Sequence, residues 1–185
     1  MRNWLLVFIL AATAASSAFA QAPHNDRYGN RMAPYVPSPQ TAVERMLEMA
    51  HLKPGETLFD LGSGDGRVLI TAAQKYQVKA IGIEISDKLV ASTNRRIEQL
   101  GLQNNAKVLR GDLFECDLSG ADTVVVYLIT HANEKLRPRL EKFLKPGSRV
   151  VSFDYAIPGW KPTKVDLSDP RGHRIYLYEM PPQKN

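Results

Sequence analysis

Short apolar runs alternate with amphipathic segments over most of the chain, from residue 57 to residue 179. The runs are rich in valine, leucine and isoleucine, which is typical of buried strands, whereas the segments between them repeat apolar residues every three or four positions, as helices do. The predicted strands are 57–61, 78–85, 106–110, 122–128, 149–155, 164–167 and 174–179. The predicted helices start at Pro39, Arg67 and Asp87, and a fourth, through Leu136 and Leu144, bends or begins near Pro138.

The order of these elements predicts the fold class. Strands and helices alternate until the chain ends in a strand pair, 164–167 with 174–179, which indicates an α/β sheet with helices on both faces. In such sheets a ligand binds at the carboxyl ends of the strands, where the strand order reverses. Residues that directly follow strands are therefore the first candidates for a functional site.

The first twenty residues have the pattern of a targeting segment. A positive start at Arg2 precedes an apolar run over 4–15, and small residues at 16–20 then match a signal-peptidase site. The run is shorter than the roughly 20 apolar residues that a membrane-spanning helix needs. We therefore predict that residues 1–20 are a cleaved signal peptide, so that the protein is exported (periplasmic or secreted) without a permanent membrane span. The alternatives are a membrane anchor at residues 4–20 or an organelle-targeting segment.

The segment after it, residues 21–38, is rich in proline and polar residues and predicts an irregular leader that forms a lid. Ser38 has the character of a helix N-cap, with Pro39 at the first helical position. Residues 39–180 suit one domain with one sizeable core.

Composition narrows the candidate functions. The net charge is +5, but lysine and arginine are scattered along the chain, so we expect no nucleic-acid partner. The single cysteine, Cys116, excludes an internal disulfide framework and is interpreted as a small core residue. The histidines lack metal-ligand spacing, so no metal site is predicted. His51, His131 and His173 are interpreted as surface or helix-end residues, and His24 lies in the leader.

A glycine-rich turn follows the first predicted strand. Gly62, Gly64 and Gly66 lack side chains, so backbone amides there can approach a ligand closely. The spacing differs from the G-x-G-x-x-G phosphate turn of dinucleotide-binding proteins. Asp60, just before the turn, would repel a pyrophosphate but suits the positive aminoacyl end of S-adenosylmethionine.

Acidic residues also follow the second and third predicted strands. Glu84 stands near the end of the second strand, where a carboxylate can accept hydrogen bonds from both hydroxyls of a ribose. Asp112, after the third strand, can accept from an adenine amino group while Leu113 packs against the ring. Taken singly, Glu84 is also explained as a solvated strand end and Asp112 as a turn former; their joint placement favours a cofactor site.

Together these residues resemble a known family. Asp60-Leu61-Gly62-Ser63-Gly64-Asp65-Gly66, Glu84 and Gly111-Asp112 are similar to the first three cofactor motifs of the class I (seven-strand) S-adenosylmethionine-dependent methyltransferases. The resemblance covers roughly residues 35–180. It implies a doubly wound, mostly parallel seven-stranded sheet of the Rossmann-like type, with an antiparallel last strand at 174–179 beside the fifth. It also implies that Glu84 holds the ribose and that Asp112 contacts the adenine.

A narrower resemblance concerns the acceptor. Pro34-Tyr35-Val36-Pro37-Ser38, ahead of the glycine turn, is similar to the small lysine N-methyltransferases that modify the ATP synthase c-subunit and the adenine nucleotide translocase. The turn itself is also similar to that of the non-SET histone lysine methyltransferases. The resemblance implies an enzyme that transfers a methyl group to a protein lysine. We expect the enzyme to be a monomer.

Three residues are predicted to orient the methyl acceptor. Tyr35 is placed near the methyl group by the leader, Ser38 near the cofactor or amine, and Tyr127 at the end of the fourth strand. Simpler structural roles are available for two of them, since an N-cap explains Ser38 and an aromatic strand end explains Tyr127.

Two alternatives to a lysine methyltransferase stay open. One is a methyltransferase for a small molecule or lipid, and the other is a non-catalytic protein that binds adenosyl metabolites. The connection at 111–121 is too short for a substrate-binding insertion, which leaves an open site and favours an extended lysine side chain.

Overall fold

The computed structural model of the protein describes residues 36–184, which form a seven-stranded mixed sheet with four helices and a separate two-stranded ribbon. The helices are α1 (Gln40–Met49), α2 (Arg67–Tyr76), α3 (Asp87–Gln99) and α4 (Thr130–Phe143). The strands are β1 (Thr57–Leu61), β2 (Lys79–Glu84), β3 (Ala106–Arg110), β4 (Thr123–Val126), β5 (Arg149–Phe153), β6 (Trp160–Lys161), β7 (Lys164–Asp166), β8 (Ile175–Glu179) and β9 (Gln183–Lys184).

The strand order of the main sheet is β3-β2-β1-β4-β5-β8-β7. Strands β1 to β5 are parallel, whereas β8 runs antiparallel to β5 with Val151 opposite Leu177, and β7 runs antiparallel to β8. The predicted α/β class is therefore confirmed, including the reversed strand beside the fifth. The order reverses between β1 and β4, so the crevice for a ligand opens between the carboxyl ends of these two strands.

Apolar side chains cover both faces of the sheet. Residues of α1, α2 and α3 pack on one face, and residues of α4 and of the 111–121 connection pack on the other. Strand β4 is buried along its whole length, as its run of valines predicts for a central parallel strand. The core thus holds β1 and β4 rigidly, and the loops that follow them carry the candidate site.

Several predicted boundaries differ from the structure at the strand ends. Strand β4 ends at Val126 and β5 at Phe153, so the residues that follow them lie in loops rather than in strands. Helix α4 begins at Thr130 and contains Pro138, which therefore neither begins the helix nor breaks it.

Ser38 does not cap α1, so this prediction is wrong. The N-cap is Pro39, and no side chain provides a capping hydrogen bond. The Pro39 carbonyl accepts from the amides of Ala42 and Val43, both at 3.0 Å, which leaves Ser38 one residue too early to cap the helix.

No helix within residues 36–184 has the length and apolar character that crossing a membrane requires.

Candidate cofactor and acceptor site

The glycine turn after β1 adopts a left-handed backbone at all three of its glycines. The φ angles of Gly62, Gly64 and Gly66 are +83°, +55° and +72°, a region that side-chain-bearing residues adopt at a cost. The amides of Gly62 and Ser63 donate to the carbonyl of Ile83, at 2.8 and 3.1 Å. The turn is therefore fastened to the end of β2 beside it.

Glu84, the last residue of β2, is buried and uses both carboxylate oxygens. Its Oε2 accepts the amide N–H of Gly64 at 2.9 Å, and its Oε1 accepts that of Ser86 at 2.9 Å. An ionised carboxylate has about four acceptor positions, so two remain for the hydroxyls of a ligand. Glu84, the residue predicted to bind the ribose, thus also shapes the two loops that would surround the ribose.

The turn is packed too closely to admit side chains at some positions. A Cβ on Gly66 would overlap the Cγ2 methyl of Thr93, and a Cβ on Gly82 of β2 would lie 2.5 Å from the Ser63 Oγ. Thr93, on α3, also donates from its hydroxyl to the Gly64 carbonyl at 3.1 Å. The glycines at 66 and 82 therefore let α3, β2 and the turn pack together.

Asp60 is a buried carboxyl at the end of β1. Burial raises its pKa from an ordinary value of 3.8 to about 7, and the nearby carboxylates of Glu84 and Asp65 contribute to the rise. A cation bound beside Asp60 would offset the energetic cost of burying the ionised carboxylate.

The Ser63 hydroxyl gives a second indication of a ligand. Its Oγ is buried and has no hydrogen-bond partner among the described residues. Buried polar atoms are usually paired, so an unpaired one in a turn of this kind fits a polar ligand group. The donor and acceptor groups of the turn therefore fit a ligand that is both cationic and polar, as S-adenosylmethionine is.

Arg67 joins the leader to the turn. Its Nη2 pairs with the Asp65 carboxylate at 2.6 Å, and its Nη1 donates to the Ser38 carbonyl at 2.5 Å. Ser38 is thereby brought next to the glycine turn, with its side chain buried. Tyr35, the third predicted acceptor residue, lies outside the described residues.

Asp112 follows β3, which lies next to β2 on the side away from β1. Its Oδ1 accepts the amide N–H of Phe114 at 2.8 Å, which is the local turn bond that its residue type favours. The amide of Gly111 donates to the Glu84 carbonyl at 3.0 Å, so Asp112 is held close to β2. Leu113 is partly buried and packs against the core on the α4 face.

Tyr127 follows β4 and lies in a cluster of aromatic rings. Its ring meets Phe153 edge to face, with centroids 4.7 Å apart, and stacks on Tyr155 at 6.4 Å with an interplanar angle of 26°. Burial raises the pKa of Tyr127, and the Asp154 carboxylate adds to the rise. Tyr127 directly follows β4, the strand next to β1, at the same end of the parallel strands as the glycine turn.

Asp154 and His173 form a pair beside Tyr127 that the sequence does not predict. Asp154 has a φ of +62°, and its two carboxylate oxygens each lie 2.9 Å from the His173 Nδ1. His173 lies in the loop before β8 rather than at a helix end, and its imidazole is partly exposed and contacts Phe153, with ring centroids 5.1 Å apart. No sequence spacing indicates the pair, since its members meet only through the pairing of β5 with β8.

Comparison with known proteins gives a consistent family. The model of the ANTKMT methyltransferase domain matches residues 60–164. A protein-lysine N-methyltransferase from Saccharolobus islandicus is 45% identical over 78% of this chain and 92% of its own length. The human lysine N-methyltransferase of the ATP synthase c-subunit is 32% identical over 71% of this chain, which spans 56% of that relative.

A solved structure agrees with the cofactor prediction. An RNA methyltransferase from Salinibacter ruber, crystallised with S-adenosyl-L-homocysteine, is 39% identical, has a TM-score of 0.77, and aligns over 81% of this chain and 97% of its own. Geranyl diphosphate methyltransferase with S-adenosylmethionine has a TM-score of 0.56 at 21% identity and shares the fold.

These relatives contradict the predicted localisation. The protein-lysine methyltransferases from Saccharolobus islandicus and human that this chain matches give no evidence of export, so the prediction of export, with membrane anchoring as its alternative, is wrong. Residues 1–20, on which the signal-peptide prediction is based, lie outside the described residues. The match to the domain model, the archaeal relative and the cofactor-bound structure agree with the turn and its carboxylates: the chain belongs to the ANTKMT methyltransferase domain family and is an S-adenosylmethionine-dependent methyltransferase.

Proposed function

We propose that this enzyme is a protein-lysine N-methyltransferase. The observation that carries the proposal is the 45% identity to the archaeal protein-lysine N-methyltransferase over nearly all of that relative's length. The name of the Salinibacter ruber structure points instead to RNA. The carboxylate of Asp154 beside Tyr127 favours lysine, because a negative charge attracts an ammonium group and repels the phosphates of RNA. We therefore expect no nucleic-acid substrate, and we expect the enzyme to act as a monomer.

The cofactor is assigned to the half of the crevice formed by β1, β2 and β3. In this assignment the Asp60 carboxylate faces the positive aminoacyl end, Glu84 accepts from the ribose hydroxyls, and Asp112 accepts from the adenine amino group. The full set of proposed cofactor residues is Asp60, Gly62, Ser63, Gly64, Gly66, Glu84, Asp112 and Leu113. The unpaired Ser63 hydroxyl and the raised pKa of Asp60 support it.

The chain's part in catalysis is mainly alignment. When bound, S-adenosylmethionine supplies a methyl group that its sulfonium has already activated. The amine of the acceptor has an ordinary pKa of about 10.4, so it must lose a proton before its lone pair can form the new N–C bond. That proton passes to solvent, and the electron pair of the broken C–S bond stays on sulfur. A fixed approach of the amine beside the Tyr127 ring contributes effective concentration.

We propose that Tyr35, Ser38 and Tyr127 orient the methyl acceptor. Ser38 and Tyr127 would approach it from the leader and from the end of β4, and Tyr35, three residues before Ser38, would approach the methyl group. Arg67 supports these roles, because its bond to the Ser38 carbonyl fixes the leader beside the turn.

Labelled-methyl transfer tests the proposal. The purified protein is first titrated with S-adenosylmethionine by calorimetry and then incubated with labelled cofactor and separated cell fractions of protein, RNA, lipid and metabolites. We expect label in the protein fraction and methyl-lysine after hydrolysis. Label in RNA, lipid or metabolites would assign a different acceptor, and cofactor binding without any transfer would favour a binding protein.

A further inference from the structure

We propose that Asp154, held in place by His173, binds the acceptor amine, and that Tyr127 and Tyr155 form the aromatic wall against which it lies. This inference rests on the proposed lysine specificity and names the residues that would carry it. His173 acts only through Asp154 and is a positioning residue.

The topology places these residues beside the methyl donor. Strands β4 and β5 are neighbours, with Val126 opposite Ser152, so Tyr127 and Asp154 both follow strand ends at the same edge of the sheet. Strand β1, which leads into the glycine turn, is the next strand beyond β4. Neighbouring strands are about 4.8 Å apart, so Asp154 lies about two strand spacings, or roughly 10 Å, from the end of β1. An amine between them is within reach of both.

The Asp154 carboxylate is held in one orientation by its surroundings. Its φ of +62° is a left-handed conformation that residues with side chains seldom adopt, although aspartate and asparagine do so more often than the others. The carboxylate is fixed by the His173 Nδ1 at 2.9 Å and by the amide N–H of Arg174 at 3.2 Å. Its own amide donates to the Arg174 carbonyl at 2.7 Å. Backbone and side chain are both held, while 19% of the side chain stays exposed to receive a ligand.

The backbone of Tyr155 is held by two partly buried hydrogen bonds. Its carbonyl accepts from the Ser152 hydroxyl at 2.5 Å and from the Asn133 Nδ2 at 3.0 Å, while 38% of the residue is exposed. The ring stacks on Tyr127, so two aromatic faces stand beside one carboxylate. Aromatic faces attract ammonium groups whether or not these carry methyl groups.

The carboxylate and the rings should therefore act on different methylation states. Asp154 accepts N–H donors, and a lysine amine loses one donor with each methyl group it gains. The contribution of Asp154 is greatest for unmodified lysine, whereas that of the rings persists for methylated lysine. Product distribution is accordingly a readout that a purely structural role would not change.

The test uses paired substitutions in the full-length protein. Asp154→Asn removes the charge but tolerates the left-handed backbone, and Asp154→Gly keeps the backbone and relieves its strain. His173→Asn retains a donor near Asp154, and His173→Leu removes it. Tyr155→Leu removes the ring, and Tyr155→Phe keeps it. Asp117→Asn is the matched control, because Asp117 is a carboxylate in an exposed turn that accepts a backbone amide at 2.9 Å.

Initial rates of methyl-lysine formation are measured against the acceptor protein fraction, with cofactor affinity by calorimetry and methylation states by mass spectrometry. Both Asp154 variants and His173→Leu should raise the apparent KM for the acceptor about tenfold or more, which corresponds to the loss of one charge-assisted hydrogen bond. Affinity for S-adenosylmethionine should not change. His173→Asn should stay near wild type, and Tyr155→Leu, unlike Tyr155→Phe, should shift the products towards monomethyl-lysine.

Two outcomes overturn the inference, and both differ from a failure of the proposed function. If wild type forms methyl-lysine and both Asp154 variants match Asp117→Asn, the amine binds elsewhere. If both variants weaken cofactor binding as much as acceptor binding, the pair has a structural role only. If wild type forms no methyl-lysine with any fraction, the proposed function itself is wrong, and this inference falls with it.

Discussion

The Glu84 carboxylate accepts the amide N–H of Gly64 at 2.9 Å, and this bond connects the end of β2 to the turn after β1. The same carboxylate holds the amide of Ser86 at the start of α3. Glu84, the residue proposed to bind the ribose, thus also accepts the hydrogen bonds that position the loops on either side of the ribose. A substitution at Glu84 is therefore expected to affect the shape of the site as well as one of its contacts.

Glu84→Gln should weaken S-adenosylmethionine binding about 10- to 100-fold, as expected for losing hydrogen bonds to a charged group. The glutamine keeps one acceptor oxygen, but its NH2 group would face one of the two backbone N–H donors. We also expect a loss of stability of about 1–3 kcal/mol from the donor left unsatisfied. Calorimetry measures the affinity and urea unfolding the stability. Glu98→Gln, at an exposed position on α3, is the control. Unchanged affinity would mean that the ribose binds elsewhere.

Asp60 should make stability fall as the pH rises. Its pKa is about 7 in the folded protein and near 3.8 in the unfolded chain, so the folded state binds more protons between these values. Stability from this carboxyl is therefore fully present below about pH 4 and is lost as the pH rises through 7. At about 1.4 kcal/mol per pKa unit, the upper limit of this change is about 4 kcal/mol.

Asp60→Asn isolates this contribution, because asparagine does not titrate. Urea unfolding without cofactor, at a series of pH values from 4 to 8, should show wild type losing stability relative to the variant. A parallel pH dependence of the two proteins would contradict the raised pKa. Cofactor binding should show the opposite sign, because a cation favours the ionised carboxyl and should bind wild type more tightly at pH 8 than at pH 6.

The cofactor half of the site could be predicted from sequence because its signals are local. The glycines at 62, 64 and 66 directly follow a strand whose bounds, Thr57–Leu61, match the prediction. Glu84 ends the next strand, two positions from the Ser86 cap. Each of these residues is recognised by its distance from an apolar run, so the fold class and these strand ends are sufficient to group them.

The acceptor half could not be predicted in the same way. Asp154 is hidden inside a predicted strand that in the structure ends one residue before it, at Phe153. His173 reaches it only because β8 reverses and pairs with β5, after a connection that contains β6 and β7. A contact between residues 154 and 173 depends on register, and hydrophobic pattern sets register only once the partner strands are known.

Arg149→Met should destabilise the protein without altering cofactor affinity. The buried guanidinium donates to the carbonyls of Ala50 and His51 at 2.8 and 2.9 Å and pairs with Glu56 at 2.6 Å. Removing it leaves two backbone carbonyls and the partly buried Glu56 carboxylate without this partner, which we expect to cost about 1–3 kcal/mol. Arg149 is the first residue of β5, so it lies at the amino ends of the parallel strands, whereas the glycine turn lies at their carboxyl ends. Calorimetry should therefore give the wild-type cofactor affinity. Arg95→Met, at an exposed position on α3, is the control and should change neither the stability nor the cofactor affinity. A full loss of cofactor binding by folded Arg149→Met would contradict the view that Arg149 lies apart from the cofactor site.

Gly66→Ala should cost more stability than Gly101→Ala, although the two glycines have nearly the same backbone. Their φ values are +72° and +69°, so alanine meets a similar left-handed penalty of about 1 kcal/mol at each. The surroundings differ: a Cβ at Gly101 meets nothing within 4 Å, whereas one at Gly66 overlaps the Thr93 methyl. The difference in unfolding free energy, which we expect to be about 1–3 kcal/mol, therefore measures the overlap alone. Thr93→Ser keeps the hydroxyl bonded to the Gly64 carbonyl and removes the methyl, so it should recover much of that difference in the Gly66→Ala background. Equal losses in the two alanine variants, or no recovery in the double variant, would mean that α3 does not confine the turn as the contact implies.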